Sequence, residues 1–332
     1  MTAPVRIGVV GVGHLGRHHA RLLNELPGAD LTSLAEVDPG NRKKAEETYQ
    51  IAVFEDYRDL LGKVDAVSVV VPTQMHLEVS KFFLENGVDV LVEKPIAPSV
   101  AEGEQMVAVA RAHDRILQVG HVERFNRALA AIREHKIVPR YIESNRLAPF
   151  SFRSVDIGVV LDLMIHDLDL VLAMIDSPLE SVQAFGGAVF TPAEDMASAI
   201  LRFENGAVAN LTASRVALKP LRRMRLFCRD SYASLDFQEG TGTLIKKNPG
   251  WDFQNLEPVD PTQIDDLWKY VFQGLFSVEE LKMDEGNPLR DELAAFLVSV
   301  RDRTEPVVSG EAGCAAVGVA ERVQKAIAGN PW

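Results

Sequence analysis

The alternation of apolar and polar positions divides this chain into two textures. Val5 to Val10 is an apolar run of strand length, Gly11-Val-Gly-His-Leu-Gly16 reads as a tight turn, and His18 to Glu25 predicts a helix ending near Pro27-Gly28. The same rhythm continues with a strand over Asp30 to Val37, a helix over Pro39 to Tyr49, a strand over Ala66 to Val71 and a helix over Gln74 to Asn86. It ends with the strand Val88 to Val92, a helix over Val100 to His113 and a strand over Ile116 to Val119. Strands alternating with helices of this length predict a doubly wound parallel sheet, so the fold class is α/β, with a first domain over residues 1–121.

The second half changes period. Helices over Glu123 to Glu134 and Val159 to Ile175 precede short runs at Ser181 to Val189, Ser198 to Glu204, Ala207 to Ser214, Arg222 to Arg229, Ala233 to Phe237 and Gly242 to Lys246. These predict an α+β domain over residues 122–332 with a large, mainly antiparallel open sheet, and Asn205-Gly206 predicts a type I′ hairpin turn within it. Residues 248–287 are rich in Pro, Asn and Asp and suggest only a helix near Ile264 to Phe276, before closing helices over Leu289 to Arg301 and Gly310 to Ala328 that are candidates to pack back on the first domain. The most apolar stretch, Gly158 to Ile175, is interrupted by Asp162, His166, Asp167 and Asp169, which predicts a buried helix rather than a membrane span.

Composition narrows the partners. The chain has 332 residues, 47% hydrophobic and 25% charged, enough for two domains. A net charge of −12 opposes a broad nucleic-acid or anionic-membrane surface. Cys228 and Cys314 lie far apart, and no basic, apolar leader precedes the first strand, so a cytoplasmic location is expected.

Chemistry is concentrated at the ends of the predicted strands. Gly11, Gly13 and Gly16, with His14 and Leu15 between them, follow a strand and open a helix, the context of a dinucleotide fingerprint in which a helix N-terminus receives a pyrophosphate. Glu36 lies twenty residues beyond Gly16, where an acid accepts hydrogen bonds from the adenosine ribose, with Asp38 as the alternative. An acid there predicts NAD rather than NADP, against the nearby Arg42, Lys43 and Lys44. Pro72, Thr73 and His76 end the fourth strand and border the nicotinamide half. Glu93-Lys94-Pro95 ends the fifth, and proline after Lys94 favours an extended backbone and permits a cis bond, so the ammonium is aimed at the carboxyl edge of the sheet.

Asp162, His166 and Asp169 fall at i, i+4 and i+7 of an apolar helix and predict one polar stripe. Such a stripe is either an internal Asp–His pair fixing helix packing or the wall of a polar cavity. With no cysteine or third ligand nearby, no metal is expected. His121, Arg124 and Asn126, at the handover between domains, are candidates to meet substrate, with Arg124 suited to a phosphate or carboxylate; Arg146 and Arg153 are further candidates. Arg222, Arg223, Arg225 and Arg229 read as one solvated strand face.

Together, Gly11-Val-Gly-His-Leu-Gly16, Pro72-Thr73 with His76, Glu93-Lys94-Pro95, Gly120-His-Val-Glu-Arg-Phe-Asn126 and Asp162-x-x-x-His166 resemble the glucose-fructose oxidoreductase, inositol dehydrogenase and rhizopine-catabolism family of NAD(P)-dependent sugar oxidoreductases. The resemblance runs through nearly the whole chain. It implies a Rossmann domain and a second domain whose open sheet face forms a homodimer or homotetramer. It places Lys94, His166 and Asp162 at a secondary sugar hydroxyl, where hydride passes to the nicotinamide. His166, oriented by Asp162, is then a general base, while Lys94 either lowers the alcohol's pKa or accepts the proton itself. Arg124-Phe-Asn126 and Arg146 to Leu170 most resemble members acting on UDP-N-acetylglucosamine at carbon 3. The chain departs from relatives at Arg127, where proline is usual, and at Glu36, where aspartate is commoner. A free sugar, inositol, another polyol or biliverdin on the same fold, and a non-catalytic NAD-binding regulator, are the alternative readings.

Overall fold

The computed structural model describes residues 3–151, 157–248, 275–281 and 286–330. The chain forms two compact units, Met1–Phe125 with Gly286–Glu321, and Asn126–Glu285 with Arg322–Trp332.

The first unit contains β1 (Val5–Val10), α1 (Gly16–Glu25), β2 (Ala29–Ala35), α2 (Pro39–Tyr49), β3 (Ala52–Phe54), β4 (Ala66–Val69), α3 (His76–Glu85), β5 (Asp89–Glu93), α4 (Val100–Ala112) and β6 (Leu117–Gly120). The six strands are all parallel in the order β3-β2-β1-β4-β5-β6. Order reverses between β1 and β4, the crevice where such sheets bind ligands outside their carboxyl ends. Every residue of β4, β5 and β6 is buried, as expected of strands covered on both faces. β3 escaped the sequence reading because it has three residues, none of them fully buried.

The second unit contains α5 (Arg127–Arg133), β7 (Tyr141–Leu147), a π-helical turn (Val160–Met164) running into α6 (Ile165–Met174), and β8 (Leu179–Gly187), β9 (Met196–Phe203), β10 (Val208–Ser214), β11 (Leu221–Phe227), β12 (Ser231–Asp236), β13 (Thr241–Lys247) and β14 (Phe276–Leu281). The eight strands run in the order β14-β13-β12-β11-β7-β10-β9-β8, antiparallel except for β7 beside β10. Helix α5 packs on β12, β13 and β14, and α6 on β7 and β10. On the other face Phe185, Ile200 and Val278 are exposed.

Two expectations need correction here, and a third falls largely outside the described residues. The predicted helix over Glu123 to Glu134 is a 3-10 turn, Val122–Phe125, followed by α5, with the Asn126 side chain capping α5 by accepting from the Ala128 N–H at 3.0 Å. The Asn205-Gly206 turn is not type I′, because Gly206 has φ +80° while Asn205 stays at negative φ. The Gly206 N–H donates to the Phe203 carbonyl and the Phe203 N–H to Ala207, a type I turn closed by a glycine bulge. The segment near Ile264 to Phe276 lies outside the described residues up to Leu275, and Phe276 opens β14.

The closing helices α7 (Pro288–Asp302) and α8 (Gly310–Ala328) complete the element order. Leu293, Phe296 and Leu297 of α7 join Ile7, Leu23 and Leu34 in one core of the first unit. A Cβ on Gly313 would stand 2.7 Å from the Val119 side chain, so α8 starts hard against β6.

Candidate active site

In the first unit, three glycines after β1 do three different jobs. Gly11 has φ +86°, and a Cβ there would lie 2.4 Å from the Val70 carbonyl oxygen, so only glycine makes the turn. A Cβ on Gly16 would lie 1.8 Å from the Gly11 carbonyl oxygen, which fixes how closely α1 starts beneath the loop. Gly13 faces open space with nothing within 4 Å of the position a Cβ would take. That is the opening a pyrophosphate requires, and α1 starts at Gly16 with Leu15 as a cap that makes no side-chain hydrogen bond and with no acid in its first turn, so no carboxylate of the helix opposes an anion at its positive end. His14 stands beside the loop, accepting from the Arg17 guanidinium at 3.0 Å in one tautomer, and Leu15 is exposed.

Glu36 follows β2 and is buried. One carboxylate oxygen accepts from the Val12 N–H at 2.7 Å and the other from the Asp38 N–H at 2.9 Å, so Glu36 ties the glycine loop to the end of β2. Asp38 caps α2 by accepting from the Asn41 N–H at 2.7 Å. The glycines with an acid at the end of β2 thus fit a dinucleotide, with Gly13 leaving the space and Glu36 fixing the loop.

The Glu-Lys-Pro segment sits on a buried hydrogen-bonded frame. Lys94-Pro95 is cis and Lys94 is half-buried. Glu93 accepts from the Lys94 N–H at 3.1 Å, and its other oxygen lies 3.1 Å from His19 Nε2. His19 Nδ1 meets the Ser68 hydroxyl at 2.9 Å, so α1, β4 and β5 are joined beneath the glycine loop. Burial works against charge on Glu93, but His19 and then Lys94 outweigh it and hold the carboxyl below its ordinary range. Glu93, expected at the cofactor, has one carboxylate oxygen on the Lys94 N–H and the other against His19.

His76 plays a similar part. It is 1% exposed, with Nδ1 2.9 Å from the Pro95 carbonyl and Nε2 3.0 Å from the Val71 carbonyl. Burial lowers its pKa more than these carbonyls raise it. The ring therefore braces the chain after β4 against the chain after β5, rather than offering a free edge to a ligand. Pro72 and Thr73 begin the 3-10 turn before α3, Pro72 exposed and Thr73 half-buried. His121 is 1% exposed, and Arg124 lies half-buried in the following 3-10 turn.

In the second unit the helix expected over Val159 to Ile175 is not α-helical throughout. Asp162 lies in the π turn Val160–Met164, whereas His166 and Asp169 lie in α6. Asp162 and His166 are half-buried, whereas Asp169 is 1% exposed. Glu194 starts this segment: its carbonyl accepts from Val159, its carboxylate from Val160, and a Cβ on Gly158 would collide with it at 2.0 Å.

Two buried arginines organise the acids. Arg146, expected to meet substrate, is 4% exposed and donates through Nε and Nη2 to both oxygens of Asp167, at 2.9 and 3.0 Å. That charge is answered by protein. Arg215, also 4% exposed, lies 3.8 Å from a carboxylate oxygen of Asp162 and 3.8 Å from one of Asp195, and donates to the Ile157 carbonyl. Burial opposes ionisation of Asp195, yet the N–H groups of Phe190, Thr191 and Val189 and the Thr191 hydroxyl take its pKa down to about 2. Arg153 lies outside the described residues.

The sequence reading missed His19, Ser68, Arg215 and Asp195, and the pairing of Asp167 with Arg146. Only His19 carried a local signal, a histidine on the α1 face whose other members, Ala20, Leu22 and Leu23, are core.

A parallel sheet with a glycine loop at its switch point, an acid after the second strand and a lysine on a cis proline defines a dinucleotide-dependent oxidoreductase. Known proteins agree. Residues 5–121 match a family model described as "Oxidoreductase family, NAD-binding Rossmann fold", and residues 140–233 match the GFO/IDH/MocA C-terminal domain. The chain belongs to this GFO/IDH/MocA family of oxidoreductases.

A UDP-N-acetylglucosamine 3-dehydrogenase of Acidithiobacillus ferrooxidans is 41% identical over 250 residues, covering 74% of this chain and 78% of the relative. A solved structure of the enzyme of that name and organism superposes with a TM-score of 0.87 and 33% identity over 98% of both chains. A myo-inositol 2-dehydrogenase of Thermotoga maritima is 26% identical over 93% of this chain and 92% of its own length.

Proposed function

We propose that this oxidoreductase removes hydride from a secondary ring hydroxyl of a nucleotide sugar, at carbon 3 of UDP-N-acetylglucosamine, with NAD as acceptor. The observation that carries the chemistry is Lys94, half-buried at the carboxyl end of β5, where its N–H donates to Glu93 of the buried Glu93–His19–Ser68 chain. The 41% identity to an enzyme named for that substrate carries the choice of sugar.

Gly11, Gly13, Gly16 and the start of α1 hold the pyrophosphate, and Glu36 with Asp38 lies at the adenosine ribose, where negative charge disfavours the extra phosphate of NADP. Bound NAD supplies the nicotinamide carbon that takes the hydride. Lys94 hydrogen-bonds the hydroxyl oxygen and stabilises negative charge as its proton leaves. His166 takes that proton, with Asp162 orienting it and Arg215 holding Asp162 in place. Arg124 receives an anionic part of the substrate. We further propose that the exposed face of the second-unit sheet forms a homodimer or homotetramer. Among the described residues, no helix is long and apolar enough to cross a membrane.

The test is NADH formation with UDP-N-acetylglucosamine, N-acetylglucosamine and myo-inositol, for the unaltered chain and for Lys94→Met and His166→Asn. The nucleotide sugar is expected to turn over best, and each substitution to lower kcat by roughly 10²–10⁴-fold. Preferred turnover of myo-inositol would reassign the substrate. Near-normal rates in both variants would remove the site assignment.

A further inference from the structure

At the end of the second-unit sheet where β7 begins and β11 ends, a cavity of about 580 Å³ is lined by basic residues. Among the described lining residues, Lys136, Arg140, Arg229, Lys246 and Lys247 contribute five cations and Asp230 one acid. The whole chain carries a net charge of −12, so this is a concentrated reversal of sign rather than a sample of the average surface. Arg229, expected on a solvated strand face with Arg223 and Arg225, lies beyond the end of β11, at the cavity instead.

Local structure fixes where these cations stand. The Arg140 N–H donates to the Phe227 carbonyl, and the Lys247 N–H to Asp230, so backbone pairing draws the ends of β7, β11 and β13 together. Lys136 takes a left-handed φ of +50° just after α5 and ends the helical direction there. Lys246 Nζ lies 2.9 Å from His135 Nδ1, which fixes the ammonium against the ring. The Glu279 carboxylate is 3.7 Å from Nε2 of that ring and 55% exposed. Five cations held near one another repel, and the arrangement is stabilised by a ligand that brings several negative charges at once.

The cavity is not the substrate site proposed above. Arg146, Asp162, Asp195 and Arg215 belong to the opposite end of this sheet, where β7 and β10 finish at Leu147 and Ser214. Seven residues of β7 separate the two ends, about 20 Å at the rise of an extended strand.

We propose that this cavity binds a small polyphosphate, a ligand with at least two linked phosphate groups, outside the catalytic centre. The phosphates are met by Arg140 and Arg229 from the strand ends and by Lys246 from β13. Charge-assisted hydrogen bonds from guanidinium and ammonium groups are the strong class of such contacts.

Isothermal titration with inorganic pyrophosphate tests this on the full chain saturated with NAD and UDP, so that neither the glycine loop nor the proposed nucleotide-sugar site competes. One site per chain is expected, weakening steeply as salt rises. Inorganic phosphate should bind at least about tenfold more weakly, because it engages fewer of the cations. Arg140→Ala and Arg229→Ala, both exposed positions, should each weaken pyrophosphate about tenfold, and Lys81→Ala on α3 should leave it unchanged. No saturable binding, equal binding of phosphate and pyrophosphate, or unaltered affinity in both arginine variants would overturn the proposal. These outcomes are independent of which sugar the enzyme oxidises.

Discussion

Glycine is needed at Gly13 and at Gly16 for opposite reasons, and the two positions separate cofactor binding from folding. Gly13→Ala adds a methyl to open space, so the thermal midpoint should hold while NAD binding weakens about tenfold or more, read by titration of NAD fluorescence quenching. Gly16→Ala drives a Cβ to 1.8 Å from a backbone oxygen, so the midpoint should fall as well. Equal midpoints for the two variants would refute this division. The glycines were readable from spacing alone, because their constraint is local. The partners of Glu93 and His76 were not, since His19, Ser68, Val71 and Pro95 reach them only through the folded sheet.

Among the elements, β7 shows most clearly why hydrophobic pattern fails. Its inward positions are Ile142, Ser144 and Arg146, so two of the three carry polar side chains and no strand is visible in Tyr-Ile-Glu-Ser-Asn-Arg-Leu. Yet β7 lies in the interior of the sheet, between β11 and β10, because Asp167 of α6 neutralises Arg146 within it. Breaking one half of a buried pair leaves an uncompensated charge, so Arg146→Met should destabilise the fold by about 3–5 kcal/mol in urea unfolding. Replacing both, Arg146→Met with Asp167→Leu, should recover most of that loss. If the double variant is no more stable than the single one, the pair has a role beyond charge compensation. The π turn before α6 was equally hidden, since its extra residue is dictated by the backbone and not by hydropathy.

For the whole molecule, the order of α/β elements made the first sheet legible, and only the short β3 was missing. The second sheet was legible as a class, but not in its strand order, because pairing β7 with β10 and β11 depends on long-range contacts. One face of that sheet bears α5 and α6, while the other presents Phe185 on β8 and Ile200 on β9, 59% and 42% exposed. An association through this face predicts that Phe185→Asp with Ile200→Asp shifts the chain to monomer in sedimentation velocity, with its far-ultraviolet dichroism unchanged. An unshifted sedimentation coefficient would place any assembly elsewhere.

The His19–Glu93 contact also bears on transplanting this chemistry. Glu-Lys-Pro looks like a portable three-residue cassette, but its acid is 8% exposed and answered by a histidine from α1 that in turn meets a serine on β4. Grafted onto another parallel sheet without those two residues, the cassette would bring in a buried carboxylate with nothing to meet it. The smallest transferable unit is therefore five residues drawn from three elements, and a designer who copies only the contiguous three should expect a misplaced lysine.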